Sequence, residues 1–166
     1  MVQITAELLD GNIGMDEIKN DAESLRLSLQ AGLIQPSEVI AWADAQIAAS
    51  DIPQSALIDV SLAGSKSPAE IERALSNIEG WFDDATIALA TFRKMAMAIE
   101  RKPVLARNAA KLLCKMAKKG IVPSREAESA MFGLDEDFYL AESGTYRTVD
   151  DVRRDLVAFL KKWAGG

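Results

Sequence analysis

Apolar side chains along this chain recur three and four residues apart, and the strict alternation that marks a strand is nearly absent. Between Met15 and Ala31, Ile18, Ala22, Leu25 and Leu29 make one stripe that ends at Gly32, a residue suited to a left-handed cap, and Leu33 and Ile34 are placed to fold back onto the last turn. Pro36 opens a second helix at the position where its missing N–H leaves no bond unmade, and Val39, Ile40, Ala43 and Ile47 form its apolar face. A third helix is predicted over 53–63, carrying Ile58 and Leu62 and stopping at Gly64. Ser67-Pro68-Ala69-Glu70 is a capping box with proline at the first helical position, followed by Ile71, Ala74, Leu75 and Ile78 on one face before Gly80.

The same grammar continues through the second half. A longer helix over 83–101 presents Ile87, Phe92, Ala96 and Ile99, and Pro103 breaks or kinks it. The next, over 103–119, ends at Gly120, and Ile121-Val122-Pro123-Ser124 repeats the joint already seen at Leu33-Ile34-Gln35-Pro36-Ser37 without a wider duplication. Short helices over 126–132 and 136–143 follow, then Gly144, then Thr148 as a cap with Asp151 three residues on. Val152, Leu156, Phe159, Leu160 and Trp163 give the last helix the clearest stripe in the chain. The first ten residues fit either an extended or a helical conformation. Eight or nine short helices joined by short turns predict an all-α irregular bundle, with solenoid-like stacking as the runner-up, and no linker or composition shift divides 1–166 into more than one domain.

Composition changes this picture mainly by exclusion. The chain of 166 residues contains no histidine, which removes Ser-His-Asp and Cys-His chemistry together with the commonest transition-metal ligand. One cysteine, Cys114, cannot make an internal disulfide or supply the usual zinc sets, and a lone thiol suits the reducing cytosol. The first seventeen residues show no basic leader followed by an apolar segment, so no signal peptide is expected, and the longest uncharged apolar run, 85–92, falls short of the roughly 20 residues of a membrane span. A cytoplasmic location with no membrane partner and no cofactor is the expectation.

Charge is segregated. Residues 1–92 carry four basic and fifteen acidic side chains, residues 93–125 carry ten basic and one acidic, and the remainder five against nine, which together give the net charge of −6. Within the basic island, Arg107, Lys111, Lys115 and Lys118 line one helix face opposite Leu105, Ala109, Leu112 and Met116. Such a stripe suits phosphates or an acidic partner, or is simply a solvated face. Nucleic acid is disfavoured by the negative net charge and by the absence of aromatics among these lysines. The acidic half suits a basic protein, with complementary potentials speeding association.

Single residues add little chemistry. Trp42 falls beyond one edge of the second helix's apolar face and Asp44 beyond the other, so the two diverge; Trp42, flanked by alanines, is either internal packing or a partner anchor. Cys114 lies within a turn of Lys111 and Lys118, which favours a thiolate, or fills the edge of a contact made by Ala106, Ala110 and Ala117. Asp83-Asp84 and Asp135-Glu136-Asp137 lack the spacing of a calcium loop and suit helix starts, so no metal ligand and no catalytic residue is assigned.

Two stretches carry a resemblance. Gly32-Leu33-Ile34, Val39, Trp42-Ala43-Asp44 and Ile47, together with the C-terminal stretch LDEDFYLAESGTYRTVDDVRRDLVAFL, resemble a family of small uncharacterised bacterial all-helical proteins; Arg147 stands where that pattern has glycine after the tyrosine. The resemblance implies a bacterial cytosolic helical protein and no reaction, and by loose analogy an immunity-like one. The expected function is therefore a non-enzymatic protein-binding module, possible sites being Arg107, Lys111, Lys115, Lys118 and Trp42, and its sharpest form is a protein that masks a toxin or effector. The alternatives are a carboxylate-based enzyme and a nucleic-acid-binding regulator using the basic helix 103–119.

Overall fold

The computed structural model describes residues 2–165, with side chains from residue 14 onward. The fold is all-α. Eight α-helices and one short 3₁₀ turn account for the regular structure, and there is no strand among the described residues. No helix among them is long and apolar enough to cross a membrane. The chain divides into two compact units: the first comprises residues 1–30 and 35–83, the second residues 31–34 and 84–166.

The first unit holds α1 (Val2–Gln30), α2 (Pro36–Ala49), α3 (Ser55–Ser61) and α4 (Pro68–Ser76). Helix α1 packs on α4, α2 on α3, and α3 on α4. The predicted capping box at Ser67 is formed: its hydroxyl accepts the N–H of Glu70, while the Glu70 carboxylate takes the Ser67 N–H at 3.0 Å. The hydrogen bonds from the Ser67 backbone and hydroxyl hold the Glu70 carboxyl below the usual glutamate range. Ile71, Leu75 and Ile78 are then buried as one face. In α3 the buried residues are Ala56, Leu57 and Val60, and Ile58 and Leu62 are exposed. That corrects the face assigned from the sequence. A seven-residue helix has barely two turns, so its periodicity does not distinguish one apolar stripe from another, and here Leu57 and Val60 take the inside.

The second unit holds α5 (Asp84–Arg101), the 3₁₀ turn Pro103–Leu105, α6 (Ala106–Lys118), α7 (Arg125–Glu142) and α8 (Val149–Ala164). Its core contains Phe92, Met95, Leu113, Met116, Met131, Phe138 and Leu156, all with essentially no exposure, each large side chain stabilising the fold by about 1.5–3 kcal/mol. Helix α5 packs on α8, α6 on α7, and α7 on α8. The two short helices expected over 126–132 and 136–143 are one continuous helix, because Gly133 costs a helix interior only about 1 kcal/mol while Met131, Leu134, Phe138 and Ala141 bury a stripe that runs past it. Thr148 closes a capping box with Asp151, as its spacing predicts. The turn 31–34 groups with this unit: Leu33 and Ile34 are buried, and the Asn108 side-chain amide donates to the Ala31 carbonyl at 2.9 Å.

Candidate functional site

The loop that follows α4 in the first unit exposes its most prominent apolar side chains while its backbone is tied down at several points. The Gln54 side-chain amide grips Glu79 from both sides, accepting its N–H at 2.9 Å and donating to its carbonyl at 3.3 Å. Gly80 follows with φ +139°, and its α-carbon sits so close to α1 that a Cβ there would come within 2.8 Å of the Met15 carbonyl oxygen and of the Lys19 Cβ. The Trp81 N–H donates to the Asp16 carboxylate at 2.9 Å, and the Asp83 N–H donates to the Asn20 side chain, also at 2.9 Å. Asn20 is itself oriented by donating to the Asp16 carbonyl.

Lys19 completes the clamp. It is buried, pairs with Glu23 at 3.0 Å and donates to the Ser76 carbonyl at 3.1 Å, placing a cation at the negative end of α4. Burial opposes ionisation of Glu23, and hydrogen bonds from Lys19 and Arg26 outweigh it, so the carboxyl stays below the usual glutamate range. With the backbone held in this way, Trp81 is 79% exposed and Phe82 56% exposed. A polar recess of about 230 Å³ in the same unit is lined by Gln54, Ser55, Ala56, Asp59, Asn77 and Glu79, the last of which stands two residues before Trp81 in the chain. Two of those residues are carboxylates and none is a cation. The unit as a whole carries fourteen acidic and four basic side chains, a net −10.

No family model, no curated protein and no solved structure matches the chain.

Trp42 is half-buried on α2, and its indole N–H is shielded from solvent without a hydrogen-bond partner. Asp44 points elsewhere, accepting from the Ser61 hydroxyl of α3. On α6, Arg107 is engaged within its own unit: it pairs with Asp135 and, at 3.3 Å, with Glu142 of α7, and its guanidinium lies 5.8 Å from the centre of the Phe138 ring. That leaves Lys111, Lys115 and Lys118 exposed on the same helix. Cys114 is free and half-buried beside buried Leu113 and Ala117. The acids bring no cluster together: no group of three or more potential ligands that could hold a metal ion is present among the described residues.

Trp81 and Phe82 carry no signal of periodicity, since they stand between helices. Their sequence signal is the composition of Gly80-Trp81-Phe82-Asp83, two large aromatics in a turn next to glycine, where polar residues are the rule.

Proposed function

We propose that the chain is a non-enzymatic protein-binding module of the cytosol, which docks a basic protein partner on its acidic unit through Trp81 and Phe82. One observation carries this reading: two large aromatic side chains stand exposed on a loop whose backbone is fixed to α1 and to Gln54. An exposed aromatic normally loses free energy against water, and a mobile one must also be ordered on binding. A loop backbone fixed in the free protein reduces that second cost, as pre-organisation does in binding interfaces.

Charge gives the partner's chemistry. Asp59 and Glu79 line the recess, Glu79 standing two residues before Trp81 in the chain, and a lysine or arginine from the partner fits there with its stem reaching toward Trp81. The net −10 of the unit steers such a partner in and makes association faster at low salt. The sharpest form of the reading is an immunity-like protein that masks a basic toxin or effector. The exposed Lys111, Lys115 and Lys118 lie in the other unit and have no role in this docking.

Affinity capture from the native cytosol, with the wild-type chain and the W81A/F82A variant side by side, tests the proposal. One basic protein recovered in stoichiometric amount by the wild type, lost with the variant and released by moderate salt, is the expected result. Recovery of no stoichiometric protein, or of the same protein with both baits, overturns it.

A further inference from the structure

The second unit contains a cavity of different character. Helices α5 and α8 pack side by side, with the Phe92 and Phe159 rings 5.4 Å apart and Arg93 donating to the Ala164 carbonyl at 3.2 Å. Further along the pair they leave a cavity of about 400 Å³. Its apolar lining comes from Ala96, Met97, Ile99 and Pro103 on one side and Val157 on the other. Four-residue steps place Arg153, Val157 and Lys161 on one face of α8, so the apolar strip is flanked by cations.

Those cations are not equivalent. Arg153 pairs with Asp150 at 2.9 Å, and Arg154 pairs with Asp151, in both cases one helical turn back on α8. The Lys161 side chain lines the cavity and makes no hydrogen bond or ion pair to any described residue. A single carboxylate, Glu100, also lines it. An apolar bed of this size, within the range of small-molecule sites, with three cations against one acid at its edge, suits a ligand with an apolar body and an anionic head.

We infer that the cavity between α5 and α8 binds a small amphiphilic carboxylate, its chain lying on Ile99 and Val157 and its head paired with Lys161. This site is independent of the docking surface described above. It predicts opposite effects for two exposed residues: removing Lys161 removes the partner of the head, and removing the charge of Glu100 removes a repulsion.

Octanoate, below its micelle concentration, is the probe, followed by methyl chemical shifts of the full chain. Saturable shifts confined to the methyls of Ala96, Met97, Ile99 and Val157 are expected, with a Kd on the order of 1 mM. Lys161→Ala weakens binding by about 3-fold and Glu100→Gln tightens it by about 2-fold, the scale of exposed charge pairs. Lys162→Ala, which removes a lysine paired with Glu126 at 2.9 Å and absent from the lining, leaves binding unchanged. Octanol, the neutral counterpart, binds more weakly than octanoate. The inference is overturned if octanoate produces no saturable shift at these methyls, if octanol binds as tightly, or if K161A and E100Q change the affinity in the same direction.

Discussion

Gly80→Ala is the sharpest perturbation of the clamp that presents the aromatic pair. At φ +139° any side chain is strained, at a cost of about 1–3 kcal/mol. The added Cβ would also stand 2.8 Å from the Met15 carbonyl oxygen, which is helix backbone and cannot rotate away, and overpacking of this kind adds about 1–3 kcal/mol. The combined penalty, about 3 kcal/mol, compares with what holds the loop: the two bonds of Gln54 to Glu79 and the N–H bonds of Trp81 and Asp83, each worth about 1 kcal/mol. The two nearly cancel, so the loop lifts from α1 while the helices beneath it persist. Residue-resolved amide exchange reads this directly, because it reports local opening segment by segment. The amides of Trp81 and Asp83 are expected to exchange about 100-fold faster in G80A, with the core amides of Leu25 and Leu75 little changed. If the Trp81 and Asp83 amides exchange at the wild-type rate in G80A, the loop is not clamped as described.

Three further outcomes follow from the same contacts. Arg107→Ala leaves Asp135 and Glu142 without their cation and uncovers the Phe138 ring, so it should destabilise the second unit by about 2 kcal/mol in urea unfolding, while K111A stays within about 0.5 kcal/mol; equal effects would count against the pairing. Thr148→Ala removes the hydroxyl that caps α8 and that, before its backbone N–H, depresses the Asp151 carboxyl, with an expected loss of about 1 kcal/mol, and a loss near zero would show the cap to be idle. Glu23 has a folded pKa below its unfolded value of about 4.3, so the stability it confers is complete above that pH and disappears as pH falls through the folded value. Acid unfolding of E23Q should therefore be less steep than that of the wild type, and superimposable pH profiles would contradict the Lys19–Glu23–Arg26 arrangement.

Much of the helical grammar was legible in the chain because it is local chemistry. Ser67 with Glu70 and Thr148 with Asp151 form the boxes their spacing implies, and Gly32, Gly120 and Gly144 adopt the positive φ that ends their helices. Failures arose where a local signal was weaker than packing. Gly133 reads as punctuation yet sits inside α7, since the apolar stripe on both sides is continuous, and α3 is too short for its pattern to choose a face. The surface was less legible. Arg107 looks like its neighbours on α6 until α7 brings Asp135, Phe138 and Glu142 against it. The pair Asp16 and Asn20, Gln54, and Trp81 lie in three distant stretches of the sequence and acquire a joint role only when α4 returns to α1. The cavity likewise needs α5 and α8 side by side, which no periodicity reveals.

The most direct measurement is the affinity of the captured partner for the wild-type chain and for W81A, by isothermal titration at two salt concentrations. A rigid, centrally placed aromatic anchor contributes about 2 kcal/mol or more, so W81A should bind about 30-fold more weakly, and the wild-type affinity should fall as salt rises. A W81A affinity within about twofold of wild type, or a wild-type affinity indifferent to salt, would contradict docking of a basic partner on this loop.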